Sequence, residues 1–272
     1  MSRIQFSFPS RSLQFRTDVE VFVPDRLPDG YTLEQLPVIY LLHGLSGNRE
    51  DWILNTSLAR YVDQYKAIVV CPDGQRGFYL DLENGPSWFT YITEELPELL
   101  GAHLRIGQAR DQRMIGGDSM GGYGAARIFA LRPDHYSAMA AFSAPLSIDL
   151  FAVMKDGDEA FFAEMKKMLG YDPLSLYGSD KDPLIWLDRI QEWQDTNTEQ
   201  TADLSFYCGT EDDFIAWSRL YAHEAKQRGI CFRYSESAGG HEFNYWDACL
   251  NEWMNRVTTV YYDRAELAAT IG

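Results

Sequence analysis

Ser119 lies in Gly117-Asp118-Ser119-Met120-Gly121, a G-x-S-x-G pentapeptide. Asp111-Gln-Arg-Met-Ile-Gly116 before it reads as a short strand, and Gly122-Tyr-Gly-Ala-Ala-Arg-Ile-Phe-Ala-Leu131 after it as a helix start rich in small residues. A serine on a tight strand-to-helix turn is held with its hydroxyl projecting into a cleft, and the flanking glycines leave room for a backbone that side chains would obstruct. The bare pentapeptide also arises by chance, or as a turn that packs a helix close to a sheet. Strand before and helix after give it chemical meaning.

A serine hydroxyl is a poor nucleophile at neutral pH and needs an adjacent base, usually a histidine oriented by a carboxylate. When the serine heads such an elbow, the acid and then the histidine follow it in the chain, each on a loop after a strand. That order filters the five histidines. His43 and His103 precede Ser119, and His135 follows with no strand-end acid between. His223 falls inside the helical run Trp217-Ser-Arg-Leu-Tyr-Ala-His-Glu-Ala. His241 remains, in the small-residue loop Ser237-Ala-Gly-Gly-His-Glu-Phe. The strand Leu204 to Cys208 ends in Gly209-Thr-Glu-Asp-Asp-Phe214, and one of its three carboxylates is assigned to orienting His241. Acids there also suit the positive end of a helix, and spacing alone does not choose among Glu211, Asp212 and Asp213.

The tetrahedral intermediate of acyl transfer needs hydrogen-bond donors for its oxyanion. One is the backbone N–H of Met120, the residue after the nucleophile. The other is expected from His43-Gly-Leu-Ser-Gly-Asn48, after the strand Val38 to Leu42. His43, a lone histidine before a glycine turn, reads as a hydrogen-bonding anchor for that loop.

These loops need a sheet to carry them. Strand-like runs are Ile4 to Phe8, Asp18 to Val23, Pro37 to Leu42, Ala67 to Cys71, Met114-Ile115, Ala138 to Phe142, Leu204 to Cys208 and Cys231 to Tyr234. Near-continuous apolar runs suit strands covered on both faces, and helical segments between them, such as Glu94 to Leu100 and Phe214 to Arg228, imply a mainly parallel sheet. The segment from about Ser147 to Asn197, broken by Gly157, Gly170, Pro173 and Pro183, reads as a helical excursion: either a wall of the substrate cleft or a long crossover. No repeat or linker appears, so residues 1–272 are taken as a single α/β domain.

A net charge of −16 argues against nucleic acid or anionic membrane as partner. No stretch approaches the roughly 20 apolar residues of a membrane helix. The N-terminus alternates polar and apolar residues and reads as a strand, not a signal peptide. Cys71, Cys208, Cys231 and Cys249 are far apart and lack metal-ligand spacing, three of them in or beside strand-like runs; a reduced, cytoplasmic protein is the simplest reading.

Leu41-Leu-His-Gly-Leu-Ser-Gly-Asn48, Tyr91-Ile-Thr-Glu-Glu-Leu-Pro97, Asp118-Ser-Met-Gly-Gly-Tyr-Gly-Ala125, Cys208-Gly-Thr-Glu-Asp212 and Gly239-Gly-His241 together resemble the esterase D-like α/β-hydrolases. The nearest branch is the bacterial tributyrin esterases and related feruloyl and acetyl esterases, and the resemblance spans nearly the whole chain. It implies the α/β-hydrolase fold, with helices on both faces of the sheet. It also implies a triad of Ser119, Asp212 and His241, oxyanion amides from Leu45 and Met120, and neither metal nor organic cofactor. The S-formylglutathione hydrolases share the superfamily, but this chain has His43 where they usually carry serine and Asp118 where they carry histidine. It also lacks their Thr-Cys pair after the oxyanion loop.

The expected function is a serine carboxylesterase acting on small-molecule acetyl, butyryl or feruloyl-type esters. A related thioesterase, an acyltransferase or a non-catalytic binding protein of the same fold are the alternatives. Trp52 and Trp88 are candidate substrate contacts, with Phe89 and Trp246 further aromatics near the expected cleft. The sequence leaves room for a homo-oligomer.

Overall fold

Val38–Leu42 and Ile68–Pro72 are buried at every position, as strands must be when both faces of a sheet are covered. In the computed structural model, which describes residues 1–149, 152–153, 157–170 and 172–271, these runs lie in one eight-stranded sheet. Its strands are β1 (Ser2–Pro9), β2 (Arg16–Val23), β3 (Val38–Leu42), β4 (Ile68–Pro72), β5 (Arg113–Asp118), β6 (Ala138–Phe142), β7 (Asp203–Gly209) and β8 (Arg233–Ser237). The spatial order is β1-β2-β4-β3-β5-β6-β7-β8. β1 and β2 are antiparallel additions, and every pairing from β4 to β8 is parallel. The carboxyl ends of β3, β5, β7 and β8 therefore open on the same edge, where the candidate residues were expected.

Helices cover both faces. In chain order they are α1 (Asp51–Asn55), α2 (Leu58–Tyr65), α3 (Leu96–Leu104), α4 (Met120–Leu131), α5 (Glu159–Leu169), α6 (Pro183–Thr196), α7 (Ile215–Gln227) and α8 (Phe243–Ile271). Alternate residues of the central strands feed opposite cores: Val38, Tyr40 and Leu42 face one that includes α4 and α6 residues. Ile39 and Leu41 face the other, with Trp52, Val62, Leu250 and Trp253.

Several boundaries differ from the expected ones for local reasons. The helix expected over Glu94 to Leu100 begins as a π-helical turn at Tyr91–Glu95 and continues as α3. The last strand runs Arg233–Ser237, not from Cys231. The Gln194 amide occupies the Cys231 backbone on both sides, accepting from its N–H at 2.9 Å and donating to its C=O at 3.0 Å. Cys231 is exposed, whereas Cys71, Cys208 and Cys249 are buried.

Part of the excursion, residues 150, 151, 154–156 and 171, lies outside the described residues. Gly170, at φ 80°, follows the last residue of α5. Pro173 and Pro183 start helices: Asp172 and Asp182 accept from Leu174 and Leu184 N–H, each with proline in the first turn. α6 packs on α4, the helix that follows Ser119, through Trp186 against Tyr123, with ring centroids 4.9 Å apart. The buried Arg127 side chain of α4 meets Asp180 at 2.5 Å.

Candidate active site

The strand-to-helix turn is strained where the pentapeptide predicts it. Ser119 adopts φ 50°, ψ −117°, a conformation that costs a residue with a Cβ about 1–3 kcal/mol. Neighbours hold it there: its N–H donates to Phe142 C=O at 2.8 Å and its C=O accepts from Tyr123 N–H at 3.0 Å. The helix presses on the end of β3 so tightly that a Cβ on Gly121 would stand 2.2 Å from Leu42 O.

Two strands along the edge, Asp212 and His241 meet. His241 Nδ1 lies 3.0 and 3.2 Å from the two carboxylate oxygens of Asp212. Their loops are laced together by Thr210 N–H to Ser237 C=O (2.9 Å) and Glu211 N–H to Gly239 C=O (3.1 Å). Asp212 is buried; Glu211 and Asp213 are exposed. Glu211 accepts from Gly239 N–H and so steadies the histidine loop. Asp212 also accepts from Phe214 N–H at 2.8 Å, so the same carboxylate fixes the turn leading into α7 and meets the imidazole. Burial pushes the Asp212 carboxyl up, but bonds from His241, the Ser143 hydroxyl and Phe214 N–H outweigh it and hold it below the usual range. The imidazole is packed edgewise by Phe214 and Trp246, with centroids at 4.8 and 5.0 Å, and its side chain is 33% exposed. Among the described residues no hydrogen bond joins Ser119 Oγ to His241.

The loop after β3 is anchored by its carbonyls. Trp52 Nε1 donates to Leu42 O at 3.2 Å and Tyr79 OH to His43 O at 3.0 Å. Gly44 O faces His43 Nδ1 at 2.7 Å and accepts from Gly47 N–H at 3.1 Å. Gly74 N–H donates to His43 Nε2 at 2.9 Å, which places the imidazole proton on Nδ1. The Asp73 carboxylate, 3.6 Å from that Nε2, is too far to compete. A trans peptide points its C=O and N–H in opposite directions, so the bonds at Gly44 O turn Leu45 N–H the other way. Gly44 itself lies against Ser119: a Cβ there would stand 3.5 Å from Ser119 Cβ and 2.5 Å from Asp118 Oδ2. Neither Leu45 N–H nor Met120 N–H has an acceptor among the described hydrogen bonds.

The tryptophans proposed as substrate contacts are corrected by their burial. Trp52 is fully buried between Phe142 and Phe243, its N–H committed to Leu42 O. Trp88 is 1% exposed and packs on Phe15 and Tyr91. Phe89 is likewise core, whereas Trp246 borders His241. His103 and His223 are exposed helix residues, and His135 is half-buried beside Tyr136.

Three residues of the site escaped the sequence reading. Phe214 was legible only as a helix start. Ser143 gave no signal beyond its place after a strand. Asp118 was noted as a departure from a family pattern, yet its side chain is buried beside Ser119 with Oδ1 unpartnered. Burial pushes that carboxyl up to about 7, against the opposing pull of His43 and His241.

Comparison with known proteins fits this geometry. The family "Putative esterase" matches residues 10–257. An acetyl esterase of Caldicellulosiruptor saccharolyticus is 30% identical over 270 residues, covering 95% of this chain and 100% of that protein. Among solved structures, the substrate-bound fluorophosphonate-binding serine hydrolase FphF of Staphylococcus aureus superposes with a TM-score of 0.82 at 22% identity, covering 94% of this chain and 98% of that one. The S-formylglutathione hydrolase FrmB of the same species gives 0.78 at 22% identity, with the same coverage. Matched along most of its length, the chain belongs to the esterase family and has the α/β-hydrolase fold.

Proposed function

We propose that this protein is a serine carboxylesterase that hydrolyses short-chain acyl or small aryl esters through an acyl-enzyme. Ser119 is the nucleophile, His241 the base, Asp212 the orienting acid, and Leu45 and Met120 supply the oxyanion amides. One observation carries the reading: a buried carboxylate holds an otherwise accessible imidazole on the sheet edge that also carries a strained serine.

In this reading Asp212 accepts from His241 Nδ1, leaving Nε2 as the basic atom. Ser119 Oγ attacks the ester carbonyl as its proton passes to Nε2, and the two amides hold the oxyanion. Collapse of the intermediate returns that proton to the leaving alcohol and leaves the acyl group on Ser119. Water, deprotonated by the same nitrogen, then releases the acid and restores the serine. In this reading the hydroxyl–imidazole hydrogen bond forms when substrate binds. Phe214, half-buried against His241, takes the substrate-contact role first expected of Trp52 and Trp88.

The reading treats residues 1–272 as one domain, supported by the continuous sheet. Within the excursion, the packing of α6 on α4 supports the crossover alternative for that part of it. The substrate is a small molecule. The four unpaired cysteines fit a reducing cytoplasm; separately, no described helix is long and apolar enough to cross a membrane.

The test is kcat/KM on p-nitrophenyl esters from acetate to octanoate beside Ser119→Ala. The variant is expected to fold normally and lose on the order of 10⁵–10⁶ in kcat. Undiminished turnover would overturn the reading. Added alcohol acceptors, with product analysis, separate hydrolysis from acyl transfer.

A further inference from the structure

We propose that Tyr79 is a positioning residue of the oxyanion loop, delivered by a strained turn to hold the His43 carbonyl against α4; the inference rests on the oxyanion reading above. The turn follows β4 and touches the loop after β3 at its start, where Gly74 N–H meets His43 Nε2. Three of its non-glycine residues, Gln75, Phe78 and Tyr79, adopt φ 45°, 50° and 54°. Positive φ is uncommon for residues with a Cβ, and two bulky aromatics keep it in succession only where their surroundings dictate it. Here Gly77 N–H donates to Gly74 C=O at 3.2 Å and Leu80 N–H to Gly77 C=O at 3.0 Å, closing the chain around the two rings.

The Tyr79 ring is fully buried in a slot that two glycines leave open. A Cβ on Gly74 would stand 2.5 Å from its Cε1, and one on Gly124 of α4 would stand 2.5 Å from its Cδ2. The ring also meets the His43 imidazole edgewise, with centroids 6.0 Å apart. So seated, its hydroxyl donates to His43 C=O at 3.0 Å. Burial holds the phenol well above its ordinary range, so the proton stays on oxygen and the bond keeps its direction. The same carbonyl oxygen lies close to α4: a Cβ on Gly121 would stand 2.9 Å from it.

Tyr79 thus pins the 43–44 peptide to the helix that starts after Ser119. A peptide unit is planar and moves as one piece, so only the two torsions of Gly44 separate that anchor from Leu45 N–H. Glycine leaves such torsions free, and the loop therefore needs a hold on each side of it. The phenol holds the peptide before Gly44, and the His43 imidazole, 2.7 Å from Gly44 O, holds the one after. Losing the hydroxyl strands a buried carbonyl and lets the first peptide turn, which carries the Leu45 amide away from the oxyanion.

The experiment compares wild type, Tyr79→Phe, His43→Ala, the Tyr79→Phe/His43→Ala double variant and Tyr136→Phe. The last removes another fully buried hydroxyl, one without a hydrogen-bond partner among the described residues. Tyr79→Phe keeps the ring between its glycines and should melt within about 4 °C of wild type. It should lower kcat about tenfold with KM nearly unchanged, less than the outright loss of an oxyanion donor because the amide is loosened and not removed. Affinity for a short-chain trifluoromethyl ketone, which forms the tetrahedral adduct on serine, should fall by the same factor. The His241 titration midpoint, followed by NMR, should stay where it is, placing the loss in the loop and not in the triad. The double variant should lose little more than His43→Ala alone, because both changes release one amide. In amide NMR of isotope-labelled protein the Leu45 signal should shift or broaden in Tyr79→Phe and stay unchanged in Tyr136→Phe. An unmoved Leu45 signal in Tyr79→Phe, a kcat within twofold of wild type, or losses that multiply in the double variant would overturn the proposal. The amide spectrum needs no substrate, so it decides the point even if wild type hydrolyses no ester; that outcome would fall on the esterase reading alone.

Discussion

Replacing Asp118 with asparagine removes a buried titratable group and leaves the shape of the side chain almost intact. Asp118 is 2% exposed, and Oδ1 finds no hydrogen-bond partner. Burial therefore raises its carboxyl from 3.8 to about 7, with His43 pulling the other way. Between those values the folded protein keeps a proton that the unfolded chain releases. The sign follows: the stability contribution is complete below about pH 4, declines as pH rises through the folded value, and is gone above it. A shift of about three units at 1.36 kcal/mol each amounts to about 4 kcal/mol. Asparagine does not titrate, so Asp118→Asn should gain about 4 kcal/mol relative to wild type between pH 4 and pH 8. Any fixed cost of seating the amide appears equally at both ends. Urea unfolding followed by tryptophan fluorescence at pH 4, 5, 6, 7 and 8 measures the difference, and other titrating groups cancel in it. A gap between the two proteins that stays flat across that range, or narrows in the variant's disfavour, would refute the reasoning.

The remaining predictions concern the acid and the oxyanion loop. Asp212→Asn should keep the fold yet lose about 10⁴ in kcat, because an amide oriented to accept from Phe214 N–H cannot hold His241 in the useful tautomer as a carboxylate does. Asp213→Asn, at an exposed neighbour, should change kcat less than twofold; equal losses in the two variants would reassign the acid. His43→Ala removes the side-chain partner of both Gly44 O and Gly74 N–H, leaving Gly44 O only the Gly47 N–H and loosening the 44–45 peptide. It should cost about 100-fold in kcat, the lower end for losing one oxyanion donor, with KM nearly unchanged in steady-state kinetics. A kcat within twofold of wild type would show that Leu45 N–H keeps its direction without the imidazole.

The legible parts of the molecule are those governed by local rules. Continuous apolar runs gave the strands because both faces of β3, β4 and β6 are covered. Edge position blurred the bounds of β8, where no residue is buried and the Gln194 side chain, 37 residues away, takes the backbone of Cys231 out of the ladder. Ser119 was legible because its strained backbone demands glycines two residues to either side. His241 followed from chain order. Spacing left Glu211, Asp212 and Asp213 open and the family resemblance pointed to Asp212, which the structure sets apart from its neighbours by burial. Trp52 and Trp88 were misplaced because an aromatic near a motif looks the same whether its ring faces ligand or core. Ser143 left no trace, since its partner Trp246 lies 103 residues further along the chain.

The oxyanion loop shows why composition misleads there. Three successive carbonyls, of Leu42, His43 and Gly44, are each taken by an aromatic donor: the Trp52 indole, the Tyr79 hydroxyl and the His43 imidazole. Buried carbonyls must find donors somewhere, and these come from side chains, whereas the neighbouring strands use backbone amides. With the carbonyls held from one side, the Gly44–Leu45 peptide has its N–H fixed on the other, so the loop needs no flexible glycine hinge to present that amide. Trp52 then belongs to the proposed site after all, by fixing the backbone after β3 through Leu42 O. An acyl pocket read from exposed aromatics would overlook that contribution. It becomes visible only when the hydrogen-bond partner of each carbonyl is followed in turn.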